Sequence, residues 1–75
     1  MTPSVCLVLA EFATILSEKY GERMVAYGLA DQIVMQVYAD PDDGSWSVLM
    51  LNPEGVACIV AAGDNFAAVK PEPNL

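Results

Sequence analysis

The stretch that decides the fold runs from Ile33 to Gly63 and reads IVMQVYA-DPDDG-SWSVLML-NPEG-VACIVAA-G. Three apolar segments rich in β-branched residues alternate with two short segments that carry proline early and glycine at the end. Proline presets φ at the start of a turn, and glycine adopts the positive φ that many turns need near their end. The pattern therefore predicts three antiparallel strands joined by tight turns.

A further strand and a helix are predicted upstream of this stretch. Residues 22–29 alternate in the manner of a strand. Residues 3 to about 19 repeat apolar side chains at helical spacing, with Thr2-Pro3 as N-cap and first helical residue and Gly21 as the terminator. The predicted apolar face of this helix consists of Cys6, Leu9, Phe12, Ala13, Leu16 and Tyr20. The predicted fold class is α+β, with one N-terminal helix packed on a four-stranded antiparallel meander.

The alternation along each strand divides the predicted sheet into two apolar faces. We predict that the helix covers the face that carries Met35, Trp46 and Cys58. The other face is also too apolar for a freely solvated sheet face. The members of that second face are Val34, Tyr38, Leu49, Leu51 and Ile59. We expect a partner subunit or the chain's own C-terminal residues to cover them.

The composition changes after Gly63, where the chain becomes polar and proline-punctuated. We divide the chain into a helix-plus-sheet domain over residues 1–64 and an extended C-terminal arm over residues 65–75. Such an ending can order against a neighbouring molecule. The side chains of the arm that we expect to contact a partner are Phe66, Val69, Pro71, Pro73 and Leu75.

Size and charge restrict the class of partner. The chain has 75 residues, 55% of them apolar, and a body this small cannot bury so much apolar surface. Three basic side chains against ten acidic ones are too few to hold nucleic-acid phosphates or an anionic membrane. No segment has the length of a membrane-spanning helix. We therefore expect a larger protein assembly or a homo-oligomer as partner, and neither nucleic acid nor membrane.

The residues do not form a recognisable catalytic pattern. The chain has no histidine, which is the commonest general base. No spacing makes a carboxylate pair of any two among Glu18, Glu22 and Glu54. Ser45 and Ser47 have no base partner, and we interpret them as strand hydroxyls that face solvent. We expect no enzymatic activity and no cofactor.

Acidic residues cluster at positions 40–43, which suggests calcium at first sight. An EF-hand loop needs a glutamate at its twelfth position, where this chain has Leu51. Asp-Gly between two strands is a hairpin signal in its own right. We interpret the cluster as a turn and expect no metal site.

Cys6 and Cys58 are the only cysteines. One interpretation is a disulfide that pins the predicted helix to the last strand; the other is two buried thiols in a reducing compartment. These residues leave both interpretations open. The N-terminal apolar run lacks a basic segment and is interrupted by Glu11, so it is a poor signal peptide. The expected location is a virion or the cytoplasm, or the periplasm if a leader has been removed.

The order of several short motifs along the chain resembles that of a known group of proteins. The motifs are Cys6, Tyr-Gly-Glu22, Asp-Gly-Ser-Trp46, Asn-Pro-Glu-Gly55 and Cys58-Ile-Val-Ala-Ala-Gly63. Over about Cys6 to Phe66 the chain resembles a group of small alphaproteobacterial proteins that are typically exported and have no assigned activity. The resemblance implies a helix on a small sheet with the two cysteines bonded, and it transfers no functional site. The chain departs from that group in lacking a recognisable leader and in its proline-rich ending.

These observations predict a non-catalytic structural or interaction protein that docks on a larger protein assembly. A bacteriophage capsid decoration (cement) protein best combines the apolar surfaces with the arm-like ending. The alternative is a small periplasmic binding module with a Cys6–Cys58 disulfide.

Overall fold

A computed structural model describes residues 5–69 of the chain. In this range one helix packs on an antiparallel sheet of five strands, which confirms the α+β class. The elements are β1 (Val5–Val8), α1 (Leu9–Tyr20), β2 (Arg23–Ala30), β3 (Ile33–Ala39), β4 (Trp46–Leu51) and β5 (Val56–Gly63). Across the sheet the strands follow the order β1-β5-β4-β3-β2.

Strands β2 to β5 form the predicted meander, and their bounds agree with the prediction to within one residue. The two glycines that close the proline-containing turns, Gly44 and Gly55, have φ of 84° and 85°. A side chain is strained in this region of φ, and glycine is not. The turn chemistry therefore sets the register of the meander, as the sequence predicts.

Strand β1 was not predicted. The expectation of four strands, and of a helix that begins near residue 3, is wrong because residues 5–8 pair antiparallel with β5. Without β1, that edge of β5 would leave its backbone N–H and C=O groups unpaired. The β-branched and apolar segment Val5–Val8 fits this role, so tertiary pairing overrides its helical periodicity. The predicted N-cap, Thr2-Pro3, lies outside the described residues.

Helix α1 begins at Leu9, whose N–H donates to the Gly55 carbonyl at 3.1 Å and so ties the helix to the β4–β5 turn. It ends as predicted at Gly21, which adopts φ 65°. The Gly21 N–H donates to the Ser17 carbonyl at 3.2 Å. The last carbonyls of the helix are thereby satisfied, and the chain reverses directly into β2.

The core lies between α1 and one face of the sheet. Its buried members are Phe12 and Leu16 from the helix and Tyr38, Leu49 and Ala57 from the sheet. Leu49 is 0% exposed, which makes it the best buried large side chain of the described residues. The predicted helix face is confirmed for its two central residues, whereas Tyr20, predicted on the same face, is exposed.

The helix covers the face opposite to the one predicted. Strand register places Met35 beside Met50, and Met50 beside Cys58, on the face that α1 does not touch. The prediction that Met35, Trp46 and Cys58 lie beneath the helix is therefore wrong. Both faces are apolar, so alternation along the strands cannot tell which of them the helix covers. The small side chain of Ala57 leaves room for the helix on the face that is actually used.

One buried polar pair lies in the core beside Leu49. The Tyr38 hydroxyl donates a hydrogen bond of 3.0 Å to Gln36 Oε1. Burial raises the pKa of Tyr38 above the ordinary value for tyrosine. The hydroxyl is therefore a neutral donor over the whole physiological pH range.

Replacing Leu49 by alanine tests which face the helix covers. We expect Leu49→Ala to lower the free energy of unfolding by about 2–5 kcal/mol, because it leaves a cavity in a closed core. The neighbouring Met50→Ala, on the other face, should lose only about 1 kcal/mol. Urea unfolding of both variants checks this, and equal losses would contradict the assignment of faces.

The raised pKa of Tyr38 predicts a fall in stability at alkaline pH. The unfolded chain releases the phenolic proton near pH 10, before the folded chain does, so the contribution is complete below that pH and is lost as pH rises through the folded pKa. Urea unfolding at pH 8 to about 11 should show a steeper decline for wild type than for Tyr38→Phe. Parallel slopes for the two proteins would refute the prediction.

Candidate functional site

The sheet face that α1 leaves uncovered is the first candidate site, and we call it the open face. Its larger members are Cys6, Val8, Ile33, Met35, Val37, Trp46, Val48, Met50, Val56 and Cys58. The central cross-strand row runs from Cys6 through Cys58 and Met50 to Met35 and ends at Gly28 of β2. The open face is thus a continuous apolar surface across all five strands.

The centre of the open face is exposed to solvent within the described residues, and Val37, Trp46, Val48, Val56 and Cys58 are half-buried. Met35 and Met50, at its centre, are 36% and 37% exposed, whereas Leu49, on the covered face, is wholly buried. By strand register, Arg23 at the start of β2 is the one charged side chain that residues 5–69 place on this face. A large apolar surface of this kind is unusual on a monomeric protein.

Carboxylates flank the open face at both ends. Asp31 and Glu54 lie in the turns at one end of the sheet. At the other end lie the carboxylates of the β3–β4 turn and of the residue after β5, which are Asp40, Asp42, Asp43 and Asp64. Six of the ten acidic side chains of the chain therefore lie at the ends of the sheet rather than on its open face.

The two cysteines are bonded to each other on the open face. Cys6 and Cys58 are directly opposite in β1 and β5, with an S–S distance of 2.07 Å. Of the two interpretations left open by the sequence, the structure contains the disulfide. The bond joins strand to strand, so the expectation that it pins the helix to the last strand is wrong.

The second candidate site is a cavity of about 250 Å³ between the last turn of α1 and the end of the sheet, which we call the end cavity. Leu16, Tyr20 and Ile59 supply much of its apolar lining. Its polar lining includes Glu22 and Ser45. The cavity is therefore amphipathic, with an apolar wall and an acidic group.

Glu22 is the most unusual side chain of the end cavity. It is only 4% exposed, and its Oε1 is buried without a hydrogen-bond partner. The helix cap places it there, because its backbone N–H donates to the Leu16 carbonyl at 2.9 Å immediately after Gly21. Within residues 5–69 the cationic side chains are Lys19 and Arg23; both are exposed, and neither forms an ion pair with Glu22.

Ser45 and Ser47 do not face solvent as predicted. Both line the end cavity, and Ser47 is buried. The hydroxyl oxygen of Ser45 is buried and, like Glu22 Oε1, has no hydrogen-bond partner among the residues that the structure describes. The prediction failed because these serines lie on the face that the helix covers, which strand alternation does not identify.

The acidic cluster after β3 is a turn, as predicted. Asp40 Oδ1 accepts hydrogen bonds from the backbone N–H groups of Asp42 at 2.9 Å and Asp43 at 3.3 Å. A carboxylate used in this way mimics a backbone turn. Among the residues described, no group of three or more side chains is arranged to hold a metal ion.

The residues predicted to contact a partner have different environments. Leu49 is wholly buried and Tyr38 nearly so, and therefore neither presents a surface to a partner. Leu51 and Ile59 pack against the same core, and Val34 is half-buried. The choice of Leu49 and Tyr38 as contact residues is wrong, for the reason that the helix covers their face.

The C-terminal contacts are described only in part. The Phe66 N–H donates to the Gly44 carbonyl at 2.9 Å, and its side chain is half-buried. Val69 is 93% exposed. The remaining predicted contacts, Pro71, Pro73 and Leu75, lie outside the described residues.

Comparison of the chain with family models, curated proteins and solved structures finds no match. Among the described residues, no helix is both long enough and apolar enough to cross a membrane.

The disulfide provides a test of the β1–β5 pairing. The bond closes a sequence separation of 52 residues, for which chain entropy predicts a stabilisation of about 4 kcal/mol. Reducing agent should lower the free energy of unfolding by roughly that amount, as measured with urea. The Cys6→Ser/Cys58→Ser variant is the control and should not respond to reductant. Two free thiols in native material, detected by mass spectrometry, would contradict the bond.

Proposed function

We propose that this protein is a non-catalytic interaction protein that docks on a larger protein assembly through its open face. The observation that carries the proposal is the apolar open face, whose central methionines are more than one-third exposed. Removing apolar surface from water is the dominant favourable term in most protein–protein association. The particular form that we propose is a capsid decoration protein of a bacteriophage.

The charge distribution specifies the chemistry of the partner. Carboxylates at both ends of the sheet flank an apolar centre, so the complementary surface is apolar with basic groups around it. Such charges speed and orient the encounter, whereas the apolar centre supplies the affinity. We therefore propose that the partner is a protein whose surface has an apolar centre surrounded by basic side chains.

The geometry of the open face suits docking without rearrangement. Its side chains project from paired strands, and the disulfide joins the edge strand β1 to β5. A preformed surface loses little conformational entropy on binding. A small protein that must bind repeatedly to the surface of a larger particle gains from this rigidity.

A second candidate function, a small binding module, is favoured by the end cavity. The cavity holds a buried carboxylate oxygen and a buried hydroxyl, both without partners, beside an apolar wall. Convergent polar groups in an apolar pocket are typical of ligand sites. This alternative suits the periplasmic location that the resemblance implies, whereas docking on a capsid suits a virion or the cytoplasm.

A charge on the open face should abolish docking. We expect Met35→Glu to release the protein from fast-sedimenting particles into the fraction of an 8.0 kDa chain when extracts of the native source are sedimented. The reason is that a carboxylate in the apolar contact must lose its hydration without a partner. The matched control is Thr14→Glu, which adds the same charge at an exposed position of α1.

Three results of this sedimentation experiment count against the proposal. They are a wild-type protein that sediments alone, equal behaviour of the two variants, and a wild-type dimer without other protein. The last result would assign the open face to a second copy of the chain instead. Urea unfolding of both variants verifies that each is folded when it is tested.

A further inference from the structure

We propose that the end cavity binds a primary alkylammonium group, with Glu22 and Ser45 as its hydrogen-bond acceptors. The inference is independent of docking through the open face, because the cavity lies on the helix side of the sheet. It rests on two residues that line one cavity, each with a buried polar atom that has no hydrogen-bond partner within residues 5–69.

The need for a cation follows from the burial of Glu22. Glu22 is only 4% exposed, and among the described residues no donor replaces the hydration that its buried Oε1 loses. Leaving a buried charge unpaired is strongly destabilising, and a positive partner removes most of that penalty. In the described part of the chain neither Lys19 nor Arg23 supplies this partner.

The surroundings of Glu22 add to the negative potential of the cavity. Leu16 and Tyr20, which line it, belong to the last two turns of α1, where the helix dipole is negative and favours cations. Asp64 lies at the rim and is exposed. An anion would meet like charge here and is therefore disfavoured.

The hydrogen-bond acceptors and the apolar wall of the end cavity determine which kind of cation fits it. A primary ammonium has three N–H donors, and Glu22 Oε1 and Ser45 Oγ are two acceptors without other partners. Leu16, Ile59 and Ala62 contribute to an apolar wall along which a short alkyl stem can pack. The volume of about 250 Å³ is below that of pockets for drug-sized ligands, roughly 300–1,000 Å³. The group therefore belongs to a small free amine or to a lysine side chain.

Titration with n-butylammonium tests the proposal directly, with n-butanol as the neutral control of the same shape. Isothermal titration calorimetry measures the occupancy of the cavity. The amide resonances of Glu22 and Ser45 give a second readout. We expect a saturable response to the ammonium ion and none to the alcohol.

The matched variant is Glu22→Gln, which keeps the shape of the side chain and removes its charge. We expect the affinity for n-butylammonium to fall roughly tenfold or more, the equivalent of one hydrogen bond to a charged group. Without ligand, this variant should need more urea to unfold than wild type, because an unpaired buried charge is gone. A carboxylate with a purely structural role predicts the opposite change. Should Glu22→Gln not fold, Ser45→Ala removes the other acceptor and should also weaken binding.

Two further arms identify the source of the alkylammonium group. A peptide with a single lysine, acetylated at its N-terminus, competes with n-butylammonium and shows which of the two binds more tightly. Lys70→Gln tests whether the chain's own lysine occupies the cavity, since this variant would then bind n-butylammonium more tightly than wild type. The proposal is overturned if neither wild type nor Lys70→Gln binds saturably, if n-butanol binds equally well, or if Glu22→Gln and Ser45→Ala both bind like wild type.

Discussion

The packing of α1 on Leu49 and Ala57 is the constraint on which the rest of the structure depends. One helix of twelve residues can cover only one face of a five-stranded sheet. Because it covers the face of Leu49, the methionines and the disulfide are left on the other face. The same packing places the last turn of α1 over one end of the sheet, and the end cavity lies at that junction. Both candidate sites are thus consequences of a single helix–sheet contact.

The two sites differ in physical character. The open face is broad, apolar and nearly without charge in the described residues, so the docking that we propose would draw its affinity from the removal of apolar surface from water. The end cavity is small and contains a buried carboxylate, so its selectivity comes from charge and hydrogen bonding. A fold with only one helix leaves a complete sheet face uncovered, which is uncommon unless a further layer is added. The proposed partner supplies that layer.

Glu22 shows how a local signal can place a functional group. Gly21 ends the helix with positive φ, and the next residue is thereby turned back toward Leu16 before β2 begins. A residue directly after a helix cap and directly before a strand has its direction set by both elements. Backbone geometry at the end of the helix therefore directs the carboxylate into the cavity.

Much of the fold was determined by the sequence alone. The turns with Gly44 and Gly55, the four strands of the meander and the helix end at Gly21 all follow from local rules of φ and side-chain alternation. Phe12 and Leu16 were also predicted correctly as the buried side of the helix. Such features depend on residues that are close in sequence, so they can be predicted from the sequence alone.

Only the tertiary structure decided the remainder. The pairing of Val5–Val8 with β5, the choice of the Leu49 face for the helix, and the burial of Glu22 each join segments that are distant in sequence. The two sheet faces are almost equally apolar, so the alternation of side chains along a strand does not show which face is buried. The physical reason is that alternation states which side chains share a face, whereas the energy of packing against a distant helix determines which face is buried.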